Sequence, residues 1–132
     1  MKFETMYFYI IMPIGSDPFA TQKRTIIETE AKRNNMIPHF PKYKTDKPGF
    51  YLESTIMKLR DAFFVLADLS FERPSCYYEL GLAEALGKQV YLIAKQGTDI
   101  HQTAARQEVI FYTDLYDFEK IVVKIFNNTL KS

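Results

Sequence analysis

Apolar runs and one-sided apolar stripes alternate along the chain. "TMYFYIIMP" (5–13) is a continuous β-branched and aromatic run that ends at Pro13, the pattern of a strand buried on both faces. In "IGSDPF", Ser16 or Asp17 can cap a helix with Pro18 in its first turn, and Phe19, Ile26 and Ile27 recur at helical spacing until "RNN" ends it near residue 35. "MIPHF" (36–40) is a short second strand, and Pro38, which cannot donate to a ladder, puts it at a sheet edge. "PKYKTDKPG" is loop. "FYLESTIMKLRD" carries Leu52, Ile56 and Leu59 at i, i+4 and i+7, a one-sided helix. "AFFVLADLS" (62–70) is a third buried strand, and "FERPS" turns into a helix that stops at Gly87, the usual left-handed C-terminal cap. "KQVYLIAK" is the fourth strand, "QGTDIHQTAAR" a loop and "EVIFY" the fifth strand. The last helix, "DLYDFEKIVVKIFNNTL", keeps Leu115, Phe118, Val122, Ile125 and Leu130 broadly on one side.

Strands that alternate with helices imply parallel pairing through right-handed crossovers. The expected architecture is a single domain over residues 1–132, a three-layer Rossmann/flavodoxin-like α/β fold. Its five-stranded parallel sheet takes the order 2-1-3-4-5, with helices on both faces. Such sheets bind ligands where the strand order reverses, outside the carboxyl ends of strands 1 and 3. The functional site is therefore expected at residues 12–18 and 68–79, which contain "PIGSDP" and "DLSFERPSC".

Within that window "PSCYYELGLAEALGK" holds a charge in an unexpected place. With Ser75 as cap, Glu79 shares its helix face with Cys76, Leu82, Ala83 and Leu86, whereas Glu84 lies roughly 140° away, near Lys88, and is expected in water. A buried, unpaired carboxylate costs at least several kcal/mol. Glu79 falls in the first helical turn or just beyond it, where free N–H groups and the helix dipole favour its ionised form by about 0.3–1 kcal/mol. Two readings are open. Glu79 pairs with Arg73 or another cation and anchors the turn, or it is a partly desolvated carboxylate at the mouth of the crevice. Asp68, which ends the apolar run "AFFVLA", either converges on the same crevice or caps the turn that follows.

Composition removes several classes of function. At 132 residues, 47% of them hydrophobic and 15% aromatic, the chain buries about 65–70% of its unfolded surface without a staple. Seventeen Lys+Arg against sixteen Asp+Glu leave a net charge of +1, so no nucleic acid or anionic membrane is expected as partner. The single cysteine, Cys76, forms no disulfide within the chain, and no stretch of about 18 apolar residues marks a membrane span. The first apolar run reads as a strand and not a signal peptide, which makes a cytoplasmic, reducing location the expectation. His39 and His101 show no metal-ligand spacing, so neither metal nor cofactor is expected. Cys76 reads as a packed thiol.

Three blocks, "YFYIIMPIG", "FVLADLSFERPSCYYELGLAEALGKQVYLIA" and "EVIFYTD", resemble the nucleoside 2-deoxyribosyltransferase-like family and its bacterial TIR-like relatives, in the same order and over most of the chain. The most specific element is a D-L-S/T turn, an N-P-N-like tripeptide and Y-E-L-G-x-A-x-A-x-G-K, matched by Asp68, "RPS" and residues 78–88. The resemblance implies that Glu79 is the catalytic carboxylate of N-glycosidic bond cleavage, as nucleophile or as stabiliser of an oxocarbenium-like state. Asp68 would place the sugar hydroxyls or Glu79 itself. The family's assisting acid near the start of strand 3 has Asp61 as its nearest candidate, although alignment on "ADLS" puts Phe63 there. Pro13, Gly15 and Ser16 stand in the first loop, where members acting on 5′-monophosphates hold phosphate, and a helix N-terminus suits that group. Ser75 either contacts the sugar or caps the helix, while Tyr78 and Tyr9 are candidates to line the pocket.

The reading that results is a hydrolase or deoxyribosyltransferase that cleaves the base–sugar bond of a nucleoside or nucleotide. The alternatives are a TIR-like NAD hydrolase in antiviral defence and a non-catalytic nucleotide-sensing module. The expected partner is a small-molecule nucleoside or nucleotide, with NAD as the alternative, and a homo-oligomer is expected because relatives often complete their pockets between subunits.

Overall fold

Each of the five apolar runs becomes a strand in the computed structural model, which describes residues 6–41 and 52–130. They are β1 (Met6–Ile11), β2 (Met36–His39), β3 (Val65–Asp68), β4 (Val90–Lys95) and β5 (Ile110–Tyr112). All pair in parallel, in the order β2-β1-β3-β4-β5, as the alternating pattern predicts. The helices α1 (Ala20–Arg33), α2 (Leu52–Asp61), α3 (Pro74–Ala85) and α4 (Leu115–Leu130) supply the two outer layers. The "PKYKTDKPG" loop lies outside the described residues after Pro41.

The pleat sorts the strand residues into two cores. Phe8, Ile10 and Met12 of the β1 segment join Leu66, Ile93, Phe118, Val122 and Phe126 on the α1/α4 side. There Phe8 stacks on Phe64 with ring centroids 4.8 Å apart, and Phe126 meets both rings edge-on. Tyr9 and Ile11 join Val65, Ala67, Leu69, Cys76, Leu80 and Leu92 on the α2/α3 side. Burial on both faces explains why β1 and β3 read as unbroken apolar runs, and the edge place of β2 accommodates Pro38.

Two helix ends differ from expectation in a way that matters for the site. α1 begins at Ala20, with Phe19 at its cap position, so Pro18 precedes the helix; Asp17 instead orders the entry turn, its Oδ1 accepting from the Phe19 N–H at 2.8 Å. α3 begins at Pro74, with Arg73 as an extended N-cap residue that makes no side-chain cap bond. Ser75 is thus the second helical residue and not the cap. The far end of α3 follows expectation: Gly87 has φ +70°, its N–H donates to the Glu84 carbonyl and the Lys88 N–H to that of Ala83, a Schellman closure. No helix among the described residues is long and apolar enough to cross a membrane.

Candidate active site

Starting α3 at Pro74 makes Glu79 its sixth residue, past the four free N–H groups of the first turn. The helix dipole therefore contributes less to Glu79 than a Ser75 cap would allow. A tyrosine takes over that role. The Tyr9 hydroxyl, projecting from the middle of β1, donates to Glu79 Oε2 at 2.5 Å. Glu79 is half-buried, and burial pushes its carboxyl pKa above the usual carboxylate range, with the Tyr9 hydrogen bond opposing that shift. The Tyr9 phenol is pushed up by its own burial and then by Glu79, with Thr55 on α2 pulling weakly the other way. Tyr9 consequently stays protonated and remains a donor at neutral pH.

Among the described residues no cation lies within ion-pair distance of Glu79, and Arg73 is exposed, so the pairing with Arg73 is not formed. One carboxylate oxygen, Oε1, accepts no hydrogen bond among these residues. Cys76, one turn before Glu79, is a buried thiol whose pKa is pushed up to about 12 by burial, then by the Glu79 charge. It is a packing group at neutral pH.

Asp68 does not join this pair. Leu66, Asp68 and Ser70 alternate with Val65, Ala67 and Leu69, and the first set faces α1 and α4, away from α3. Only 3% exposed, Asp68 accepts from Lys23 Nζ at 3.2 Å and the Tyr112 hydroxyl at 2.7 Å through Oδ2. Its Oδ1 accepts from the Ser70 hydroxyl at 2.6 Å and the Ser70 N–H at 3.0 Å. Lys23 also pairs with buried Asp17 and lies 4.7 Å over the Tyr112 ring. The expected convergence of two acids on one crevice is thus replaced by one acid on each face of the sheet. The turn-capping reading of Asp68 is met by its two bonds from Ser70.

The other candidates are dispersed. Asp61 is exposed at the end of α2, where its charge adds to the burial that raises the Tyr7 phenol; it makes no hydrogen bond or ion pair with Glu79 or Tyr9 among the described residues. Pro13 is buried just after β1, and Gly15 and Ser16 form the exposed turn beyond it. Ser75 is exposed, and so is Tyr78 on the outer side of α3. Glu84 is not solvated as expected: it is half-buried and accepts from the Thr103 hydroxyl at 2.8 Å, tying α3 to the loop after β4. That loop is further fixed by His101, which pairs with Glu72 at 2.9 Å and donates its N–H to the Tyr77 hydroxyl.

Two residues, one on each face of the sheet, escape a reading by local motif. Lys23 lies on the apolar stripe of Phe19, Ile26 and Ile27 at helical spacing, the same signal that singles out Glu79. His39 stands directly across from Tyr9 in the β1–β2 register, with ring centroids 5.0 Å apart. The 2-1-3 strand order with the period-2 pleat places Tyr9 and His39 on one face. Among the described residues no group of three or more His, Cys, Asp or Glu side chains is arranged to hold a metal ion.

No family model matches the chain, and no curated protein sequence does. Solved structures do. The chain is similar to the CMP N-glycosidase BcmB of Clostridium botulinum, with a TM-score of 0.60 and 12% identity over 88% of this chain and 97% of that one. It is similar to a 2-deoxyribosyltransferase of the psychrotolerant bacterium Bacillus psychrosaccharolyticus, with a TM-score of 0.57 and 16% identity over 86% and 90% of the two chains. It is also similar to part of the constitutive lysine decarboxylase of Escherichia coli, at a TM-score of 0.56 and 14% identity, covering 95% of this chain and 17% of that one. The similarity across most of the length of the first two structures, with this five-stranded sheet order, leads to one conclusion: this chain has the nucleoside 2-deoxyribosyltransferase-like fold.

Proposed function

We propose that the protein is an N-glycosidase that cleaves the base–sugar bond of a nucleoside or nucleotide, with Glu79 as the attacking or charge-stabilising carboxylate. The observation that carries this reading is the Glu79 environment: a desolvated carboxyl group, free of any cation among the described residues, held at Oε2 by Tyr9. Desolvation strengthens its attraction to the positive charge that develops at the anomeric carbon, and Tyr9 fixes the plane of attack. As the C1′–N bond breaks, its electron pair leaves with the base, and Glu79 Oε1 either bonds to C1′ or remains as its counter-ion. Water then completes hydrolysis, or a second base completes transfer. The likeness to structures named for an N-glycosidase and a 2-deoxyribosyltransferase supports this class of reaction. In this reading the exposed Gly15 and Ser16 turn, with Pro13 behind it, forms the binding edge toward the sugar 5′ end, and Ser75 and Tyr78 border the entrance.

The test is base release. Ribo- and deoxyribonucleosides, their 5′-phosphates and NAD are incubated with the protein, and free base is resolved by chromatography beside Glu79→Gln. Release from at least one nucleoside or nucleotide, lost in Glu79→Gln, is expected. Release that survives the substitution removes Glu79 from the chemistry; binding with no release from any substrate replaces the enzyme by a nucleotide-binding module.

A further inference from the structure

A departing nucleobase carries the electron pair of the broken bond and needs a proton, and the groups described above do not supply one readily. Glu79 acts as an anion. Burial holds the Tyr9 phenol and the Cys76 thiol protonated far above neutrality. Asp68 is bound by Lys23, Tyr112 and Ser70 on the opposite face, and Asp61 does not touch the Glu79–Tyr9 pair.

We propose that His39 is the proton donor to the departing base, a catalytic residue of the reaction proposed above, on which this inference rests. In β2, Met36 and the following Phe40 belong to the core on the α1/α4 side, so the pleat turns His39 to the α2/α3 side. There it is half-buried, and its ring packs on Tyr9 at 5.0 Å with a 32° tilt, while the Tyr9 hydroxyl holds Glu79 Oε2. An imidazole and a carboxylate thus touch the same tyrosine, one from the edge strand and one from α3. Imidazole is the side chain whose ordinary titration straddles neutrality, which suits it to give a proton in one step and recover it in the next.

The step balances. The C1′–N pair moves to the base, which takes the imidazolium proton and leaves neutral, while Glu79 neutralises C1′. Water then adds its oxygen to C1′, returns a proton to His39 and frees Glu79. The net change is nucleoside plus water to base plus sugar. Among the described residues, ionisable groups on this side of the sheet include Tyr7 and Tyr9 of β1, Glu79, Cys76 and Tyr77 of α3, and Asp61, Lys58 and Glu53 of α2.

The test compares leaving groups. Cytidine or adenosine, with or without a 5′-phosphate, leaves as an anion unless protonated; 7-methylguanosine and nicotinamide riboside carry cationic bases that leave neutral. His39→Asn is expected to lower release from the first class about 10²-fold more than from the second, whereas Glu79→Gln suppresses both. Equal losses in the two classes overturn the donor role and leave the glycosidase reading standing. A wild type that cleaves only cationic-base substrates also overturns it, and a wild type that releases no base removes both. A second measurement needs no turnover: the chain has two histidines, and NMR follows their titration. Glu79→Gln is expected to lower the His39 midpoint by removing a nearby anion while His101, paired with Glu72, keeps its own. An unmoved His39 midpoint overturns the shared site.

Discussion

The two oxygens of Glu79 have different neighbours, and the difference bears on both stability and rate. Oε2 accepts from Tyr9, while burial raises the carboxyl pKa above its unfolded value. A raised pKa means that the folded state binds the proton more tightly than the unfolded state. The stability this gives is present below the unfolded pKa and is lost as pH rises through the folded one. At neutral pH the ionised Glu79 therefore weakens the fold. Glu79→Gln, which still accepts from Tyr9, is expected to raise Tm at pH 7 by about 2–5 °C and to cut base release by roughly 10³-fold or more. The thermal gain should vanish near pH 4, where the wild-type group is itself protonated; a gain independent of pH would show that burial is not the cause. Tyr9→Phe removes the hydrogen bond that, among the described residues, opposes the shift. The acid limb of kcat/KM is expected to move to higher pH and the plateau to fall about 10- to 100-fold, the worth of a hydrogen bond to a charged group. A pH–rate profile of the variant checks both parts.

At the level of elements, a salt-bridged cluster binds the carboxyl edge of the sheet. Lys23 of α1 reaches Asp17 before its own helix, Asp68 at the end of β3 and Tyr112 of β5; Ser70 links Asp68 to the Lys95 N–H of β4. Four chain segments thus depend on one buried ammonium group. Lys23→Met leaves two buried carboxylates without a cation and is expected to cost about 3–5 kcal/mol in urea unfolding. Adding Asp17→Asn and Asp68→Asn should recover most of that loss; a single variant within about 0.5 kcal/mol of wild type would show that the cluster is not a structural pair. This cluster also marks where sequence pattern stops being informative. The face taken by Asp68 depends on pleat parity, and "AFFVLA" is apolar on both sides, so the run carries no alternation from which parity can be read. Glu79 was legible because a helix stripe has a preferred face and a charge on it stands out. Lys23 obeys the same rule, but "TQKRT" is polar enough on its flanks to pass for a solvated surface. The order of elements followed directly from alternating runs. The start of α3 did not, since Pro74 and Ser75 are both good first-turn residues and only backbone geometry separates cap from first turn.

For the whole molecule, the sheet divides two tasks between its faces. The α1/α4 face holds the largest buried rings, Phe8, Phe64, Phe118 and Phe126, together with the Lys23 cluster. The α2/α3 face holds Tyr9, His39, Thr55 and Glu79 amid smaller side chains such as Ala67, Cys76 and Ala83. Links of this kind span great distances in sequence, 70 positions for Tyr9 to Glu79, so a motif names one partner and only the fold supplies the other. The division predicts separable defects. Phe126→Ala opens a cavity between α4 and the sheet and is expected to cost about 3–5 kcal/mol, with kcat of the folded fraction close to wild type because Phe126 packs on Phe8 and Phe64 in the core opposite the site. Tyr9→Phe should weight the two defects the other way, costing less unfolding free energy than Phe126→Ala, about 1–3 kcal/mol, while lowering turnover. Urea unfolding and initial rates measured on the same two preparations decide the matter. If Phe126→Ala lowers kcat as much as Tyr9→Phe at a temperature where both are folded, the faces are mechanically coupled through the four residues of β3, and the separation of tasks fails.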